Sequence, residues 1–226
     1  GLGDVYKRQT LILAFLLLCF GLSACTDLKD NNDDNDGGNE NSSPTTAANI
    51  LVAYFSCTGN TENIAKMIAR ETGGALHEIQ PQIPYTEADL DYYSGGRADR
   101  EQADPAARPA IANSVENMPD YDVIFLGYPI WHVQAPKIIY TFLESYDFAG
   151  KTIVPFCTSG SSGVGSSADN LRPLAQNADW KNGTRFSSKT TESEIKAFVE
   201  QLNLDLKTDT NMLKICLLYT SPSPRD

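Results

Sequence analysis

The stretch Ser56-Cys57-Thr58-Gly59-Asn60-Thr61 has the residue types that most clearly suggest a binding site. It lies between an apolar run, 50–55, and a segment with helical periodicity, 62–68. At the start of a helix, backbone N–H groups and the helix dipole favour the binding of an anion. Hydroxyl and amide side chains add hydrogen-bond donors, and Gly59 allows the backbone to approach the ligand closely. The stretch contains no Lys or Arg and lacks the Gly-Lys-Ser/Thr of nucleotide triphosphate loops. It predicts a phosphate site; the alternative is a simple helix cap, which Ser and Thr also favour.

Similar chemistry follows two other apolar runs. Tyr128-Pro129-Ile130-Trp131-His132 follows 122–127, and a Gly- and Ser-rich stretch, 157–165, follows 151–156. Trp131 could offer a flat stacking surface or could fold back onto the core. The Gly- and Ser-rich stretch could offer backbone donors or could be a flexible surface loop. If the preceding strands are parallel, all three stretches meet at one edge of the sheet and predict a pocket for a flat, phosphate-bearing ring system.

The elements that must position these stretches alternate along the chain. Apolar runs at 50–55, 75–79, 122–127 and 151–156 predict strands, and a short fifth strand is predicted near 184–187. Helices are predicted after Thr61, within 86–102, at 136–144, at 167–177 and after the capping box Thr191-x-x-Glu194. Strands alternating with helices predict an α/β fold with a parallel, doubly wound sheet.

The ends of the chain require separate treatment. The codons that fit residues 1–9 and 216–226 form an inverted repeat, which resembles read-through of a sequencing adapter, so both segments are set aside. Residues 10–25 resemble a lipoprotein signal that ends in Leu22-Ser23-Ala24-Cys25, with Cys25 as the lipidation site; an ordinary signal peptide or a short membrane anchor is the alternative. Residues 26–49 are polar and predict a disordered acidic tether, 50–206 predict one domain, and 207–215 form a tail.

Charge and cysteine content narrow the function classes. The formal net charge is −11 and no basic patch stands out, so nucleic-acid binding is not expected. Of the five cysteines, only Cys57 and Cys157 fall in the predicted domain. The sequence therefore implies no disulfide framework and offers no metal-ligand cluster.

With these motifs in place, the domain resembles the flavodoxin family. Ser-x-Thr-Gly-Asn-Thr matches the family's phosphate loop, Pro129-Ile130-Trp131 resembles its aromatic loop, and 158–165 resembles the opposite flavin loop. The resemblance implies a five-stranded sheet in the order 2-1-3-4-5, helices on both faces and noncovalent flavin mononucleotide (FMN). It also implies a set of cofactor-binding residues: Ser56, Cys57, Thr58, Gly59, Asn60 and Thr61 near the phosphate, Pro129, Ile130, Trp131 and His132 near the ring, and Thr158, Ser159, Gly160, Ser161 and Gly163 at its edge.

Some residues depart from the family pattern. The second loop has no acidic-Gly pair, and no Asp-x-x-Ser-Gly-Ala-Thr acceptor for covalent flavin occurs. His132 could donate to the flavin or could face solvent, and Cys57 could be redox active or could be a packed small residue.

The resemblance to the flavodoxin family implies an electron carrier. The lipoprotein-type signal predicts that this carrier is exported and anchored through a lipid on Cys25 at the periplasmic or extracellular face of a bacterial membrane. We expect a monomeric domain with redox partner proteins of unknown identity. The alternatives are an FMN-dependent NAD(P)H or quinone-type reductase and a nonredox flavin-binding surface protein. An observed dinucleotide site would favour the reductase, and the sequence contains no dinucleotide fingerprint.

Overall fold

The structure is a computed structural model, and it describes residues 48–204 of the 226-residue chain. The signal, the lipidation site Cys25, nearly all of the tether, the tail and both adapter-like ends lie outside the described residues. The strands are β1 (Ile50–Tyr54), β2 (Ala75–Glu78), β3 (Val123–Pro129), β4 (Thr152–Thr158), β5 (Asp179–Trp180) and β6 (Thr184–Phe186). The α-helices are α1 (Asn60–Thr72), α2 (Glu87–Leu90), α3 (Arg97–Ala103), α4 (Lys137–Glu144), α5 (Ser167–Leu171) and α6 (Glu192–Gln201), and 3₁₀ turns cover Met118–Asp120 and Arg172–Ala175.

The sheet is parallel, and its order is β2-β1-β3-β4-β5, as predicted. Strands β1, β3 and β4 lie in the middle, and nearly all of their residues are buried. Their sequences are largely apolar because both faces of the sheet are covered. The carboxyl ends of these three strands therefore open onto the same edge, which is where the three polar stretches begin.

Each face of the sheet packs against its own set of helices. On one face, Ile64 and Ile68 of α1 pack with Ile195 and Val199 of α6. On the other face, apolar side chains of α4, among them Phe142, pack with the 3₁₀ turn that contains Ala175. The apolar residues of α1, α4 and α6 recur at helical spacing, so each helix buries a single stripe. The result is a three-layer domain in which the strand ends are the part left uncovered.

The fifth position of the sheet is divided. We predicted one short strand near 184–187, but two segments, β5 and β6, pair with β4 on either side of a break. The break lies opposite Pro155 of β4. The backbone groups of Ile153 point toward β5, because the Ile153 carbonyl accepts from Lys181 N–H at 2.9 Å. Backbone direction alternates along a strand, so the backbone of Pro155, two residues later, points to the same side. Proline has no N–H to donate there, and the ladder is interrupted.

Two predicted helices are also shorter than expected. The segment 86–102 holds α2 and α3 separated by a turn that contains Gly95, whose φ is 73°. The segment 167–177 holds α5 and then a 3₁₀ turn, because Pro173 cannot continue an α-helix ladder. Within residues 48–204, no helix is both long and apolar enough to cross a membrane.

Asn49 ties the start of the described chain to the turn before β3. Asn49, which we placed at the end of the tether, donates from its backbone to Asp122 Oδ2 at 2.8 Å and from its side chain to the Asp120 carbonyl at 3.0 Å. These bonds tie the chain to the turn before β3. Asn49 therefore belongs to the folded domain, although its polar side chain gives no such signal in the sequence.

Candidate functional site

The first polar stretch folds as a tight turn between β1 and α1. Gly59 is the residue before the helix and has φ 80°, and its N–H donates to Ser56 Oγ at 3.1 Å. Its carbonyl accepts the first helical bond, from Asn63 N–H, at 3.0 Å. The side chains of Thr58 and Asn60 are exposed and bond each other, Asn60 Nδ2 to Thr58 Oγ1, at 3.1 Å. The turn thus presents an amide, a hydroxyl and the free N–H groups of the first turn of α1 to the space above the sheet.

Thr61 has a different position from its neighbours. Its side chain is buried, with 1% exposed, and its hydroxyl lies 2.8 Å from the hydroxyl of Thr158, which is 5% exposed. We had expected Thr158 in the loop after the fourth predicted strand, but it is the last residue of β4. The pair joins the phosphate-type turn to the end of β4, so its first role is to hold two parts of the site together.

The second stretch begins inside β3 and then makes a narrow turn. Pro129 is the last residue of β3, and Ile130 N–H donates to the Thr158 carbonyl at 3.0 Å. Trp131 and Gln134 exchange two backbone hydrogen bonds, each of 2.9 Å, around His132 and Val133. His132 and Val133 have φ of 47° and 64°, a left-handed conformation that non-glycine residues rarely adopt.

Trp131 packs against aromatic residues at the top of the core. Its ring meets Phe55 edge-on at 5.5 Å and Tyr85 edge-on at 5.3 Å between centroids. The side chain is only partly buried. Trp131 therefore makes the core contacts expected if its side chain folds back onto the core. Part of its side chain also remains exposed, as a stacking surface for a ligand ring requires.

Helix α3 supports this turn from outside. The Gln102 side chain donates to the Trp131 carbonyl at 3.0 Å and to the Ala135 carbonyl at 3.3 Å. His132 Nε2 lies 2.7 Å from Asp99 Oδ1, and its ring stacks on Tyr92 at 4.4 Å. The hydrogen bond from His132 is the main reason that the pKa of Asp99 lies below its usual value. His132 is thus a partly buried link between α3 and the turn rather than a fully solvent-facing residue.

The third stretch is held by a cation from the neighbouring strand. Arg185 of β6 donates to the Ser159 hydroxyl at 3.0 Å, to the Ser159 carbonyl at 2.9 Å and to the Gly160 carbonyl at 2.6 Å. The Ser159 hydroxyl also donates to the Ser162 carbonyl. These bonds fix the backbone around Ser159 and Gly160, so this part of the stretch is an anchored loop.

The first and third stretches and the end of β3 enclose one cavity of about 430 Å³. This volume is within the range of about 300–1,000 Å³ that is usual for small-molecule sites. Of the predicted residues, Thr58, Asn60, Pro129, Thr158, Ser159 and Gly160 line it. Ser56, Cys57, Gly59, Thr61, Ile130, Trp131, His132, Ser161 and Gly163 lie in the same three stretches but do not line this cavity. A larger groove of about 710 Å³ runs along the flank of α1, and Ser188 lines both this groove and the cavity.

Three lining residues were not predicted: Ser187, Ser188 and Lys189. They follow β6, which pairs in parallel with β4, so they reach the same edge as the other stretches. The sequence did contain a usable signal. Ligands bind beyond the carboxyl ends of parallel strands, and this applies to the fifth predicted strand as it does to the first, third and fourth. Their position means that the cavity wall includes a lysine, although the Ser56–Thr61 turn itself has no cation.

The domain cysteines are both free and lie in different surroundings. Cys57 is exposed on the first turn, although partial burial of its thiol group raises the pKa of that thiol to about 12 as well. Cys157 is fully buried in β4, and burial raises the pKa of its thiol to about 12. A thiol with so high a pKa is almost wholly protonated near neutral pH, and therefore a poor nucleophile.

The donor set indicates what the cavity can bind. Hydroxyls, an amide, helix N–H groups and one ammonium suit a phosphate, and Pro129 with the nearby aromatic residues suits an apolar ring. No group of three or more His, Cys, Asp or Glu placed to hold a metal ion occurs within residues 48–204.

Known proteins that are similar to this chain show its family. A flavodoxin family model matches residues 49–202. A candidate flavoprotein from Bacteroides eggerthii has 44% identity and a TM-score of 0.66, covering 70% of this chain and 99% of its own. A second one, from Bacteroides uniformis, has 39% identity and a TM-score of 0.65, covering 69% of this chain and 99% of its own. No curated protein is similar enough to this chain to count as a match. The chain belongs to the flavodoxin family, and its domain has a flavodoxin-like flavoprotein fold.

Proposed function

We propose that this protein carries electrons through noncovalently bound FMN and is exported and anchored to a bacterial membrane by a lipid on Cys25. The observation that carries the first part is the cavity in which the Ser56–Thr61 turn, the end of β3 and the loop after β4 converge. Membership of the flavodoxin family supports a flavin as the ligand. Export and anchoring rest on the sequence motif that ends at Cys25.

The residues present fit FMN in both of its parts. Thr58, Asn60 and the first N–H groups of α1 would hold the phosphate, with Gly59 allowing the backbone to come close. Pro129 would contact the ring from the cavity wall, and backbone groups near Ser159 and Gly160 would meet its edge. Trp131 lies two residues beyond Pro129, outside that wall, and its exposed part would contact a portion of the ring that extends past the cavity. When bound, FMN supplies the electron-transfer chemistry, and the protein supplies binding, orientation and electrostatics.

The turn at His132 and Val133 determines how the ring would be presented. Its backbone is strained, and it is held by Gln102, Asp99 and Tyr92. Strained backbone persists only where surrounding contacts over-determine it, and such sites are often functional. We assign to this turn the role of holding Trp131 and the end of β3 in a fixed place beside the ring.

The proposal is tested by the spectrum and ligand preference of the purified protein. It should be yellow, or should take up FMN in preference to riboflavin, and acid should release the flavin intact because the attachment is noncovalent. Replacing Thr58 with Ala should weaken the binding free energy of FMN by about 1.5–3 kcal/mol if the Thr58 hydroxyl donates to a charged phosphate. Equal affinity for FMN and riboflavin would count against FMN as the cofactor.

The reductase and the nonredox binding protein give different results from an electron carrier. The FMN-loaded protein is mixed anaerobically with NADH or NADPH while the visible flavin band is followed. A carrier should keep its colour until a partner reductase is added. Rapid bleaching by either nucleotide alone would favour the reductase, and failure to turn over with any partner reductase would favour the nonredox protein.

A further inference from the structure

The loop between β6 and α6 is tightly folded and firmly placed beside the cavity. Ser187 N–H donates to Thr190 Oγ1 at 3.0 Å, Thr190 N–H donates to the Ser187 carbonyl at 3.1 Å, and Lys189 N–H donates to Ser187 Oγ at 3.2 Å. The next residue, Thr191, caps α6 with Glu194. On the other side, the Phe186 carbonyl accepts from Ser159 N–H at 3.4 Å. The backbone of Lys189 is therefore fixed to both the third stretch and the last helix.

The lysine in this loop differs from the other cations near the site. Arg185 is already engaged by the carbonyls of Ser159 and Gly160, and Lys66 pairs with Glu62. Lys189 is exposed on the cavity wall, and among residues 48–204 its ammonium has no carboxylate and no hydrogen-bond partner. An unpaired cation in a chain of net charge −11 is positioned for an external anion.

The facing side of the cavity presents the groups that a phosphate monoester requires but offers no charge. Thr58 and Asn60 are neutral, and the α1 N-terminus contributes only a partial positive charge. A phosphate monoester near neutral pH carries between about 1.5 and 2 negative charges, so neutral donors alone leave most of its charge unbalanced. Lys189 is the residue of the cavity wall that can balance it, and it lies in a different loop from the Ser56–Thr61 turn.

We infer that Lys189 is a further phosphate ligand, and that it determines the preference of this site for a phosphorylated flavin over an unphosphorylated one. This inference rests on the proposed FMN site. It assigns the positive charge of the site to the loop after the fifth strand position, whereas the turn after β1 contributes only neutral donors. The class of ligand that this site would bind is a phosphate monoester dianion attached to a flat ring system.

The test compares the affinities of FMN and riboflavin for the protein and three variants, using quenching of the flavin's own fluorescence. Lys189→Gln removes the charge, Lys189→Arg keeps it, and Lys196→Gln is a matched control because Lys196 is an exposed lysine of α6 outside this cavity wall. We expect Lys189→Gln to lower the affinity for FMN about tenfold and to leave the affinity for riboflavin unchanged. Lys189→Arg and Lys196→Gln should each stay within about twofold of the parent for both flavins.

Ionic strength provides a second readout. FMN affinity of the parent should fall as salt rises, and Lys189→Gln should reduce this dependence, whereas riboflavin affinity should be insensitive to salt in both. If the parent prefers FMN but Lys189→Gln keeps that preference, the inference is wrong while the proposed function stands. If the parent binds both flavins equally, the proposed cofactor itself is wrong. If Lys189→Gln weakens riboflavin as much as FMN, the residue acts on the fold or the ring, and the inference is also overturned.

Discussion

At the scale of single residues, Gly59 determines whether the turn after β1 can form. Its φ of 80° is in the left-handed region, and no other group lies within 4 Å of the place where a Cβ would stand. The cost of Gly59→Ala is therefore backbone strain alone, about 1–2 kcal/mol of unfolding free energy. Gly160→Ala is the control, because that position also has open space but no left-handed φ, and its effect should stay within about 0.5 kcal/mol. Denaturant unfolding measures both; equal effects would contradict the role given to the Gly59 conformation.

Trp131 provides a second residue-scale prediction. If its exposed part meets the flavin ring, Trp131→Ala should weaken FMN and riboflavin alike by about 1–3 kcal/mol, by analogy with stacking of bases on aromatic side chains. In a Trp180→Phe background, which leaves Trp131 as the only tryptophan, flavin binding should also strongly quench the protein fluorescence. Unchanged affinity and unquenched emission would show that Trp131 serves only the contacts with Phe55 and Tyr85.

At the scale of elements, the hydroxyl pair of Thr61 and Thr158 joins α1 to the end of β4. Each single change to Val, Thr61→Val or Thr158→Val, leaves one buried hydroxyl without its partner and should cost about 1–3 kcal/mol of unfolding free energy. The double variant should cost clearly less than the sum, because it removes both polar groups and keeps their volume. Additive costs in this double-mutant cycle would mean that the 2.8 Å contact contributes nothing of its own.

The elements also show what the sequence could and could not predict. The middle strands were predictable, because β1, β3 and β4 are buried on both faces and are therefore largely apolar. The order of the sheet was implied by the resemblance to the flavodoxin family and not by these runs. The division of the fifth strand was not, since it depends on which way Pro155 faces, and that follows from pairing. The same holds for the site: Thr58 and Asn60 could be found from local sequence, but Lys189 enters the cavity only through the pairing of β6 with β4.

At the scale of the whole molecule, pH should affect stability through His77 of the edge strand β2. Burial lowers the pKa of His77 below its usual value, and neighbouring Glu78 only partly opposes this. The unfolded state therefore binds the proton more readily, so the free energy of unfolding should fall as the pH drops below about 6.5, the ordinary value for histidine.

The measurement is denaturant unfolding of the parent and of His77→Gln between pH 5 and pH 8, a range chosen to straddle the ordinary histidine pKa of about 6.5. The variant should lose this part of the pH dependence. The lowered pKa values of Asp99, Glu144 and Glu194 act in a more acidic window, because stability from a depressed carboxylate is lost only below its unfolded pKa of about 4. Identical slopes for parent and variant above pH 5 would contradict the assignment to His77.

The two domain cysteines report on the whole sheet. Cys57 is exposed on a turn, whereas Cys157 lies in β4 with β3 on one side and β6 on the other. Burial raises the pKa of both thiols to about 12, so the two cysteines differ in access and not in thiol acidity. Alkylation at alkaline pH followed by peptide mass spectrometry should label Cys57 in the native protein, but should label Cys157 only through openings that separate the central strands. If FMN is the cofactor, as proposed, and binds only the folded state, it should slow Cys157 labelling further, by the factor one plus the free FMN concentration over its Kd. Rapid native labelling of Cys157 would contradict its burial, and a native Cys57–Cys157 disulfide would contradict the strand order, which places their strands two positions, about 10 Å, apart.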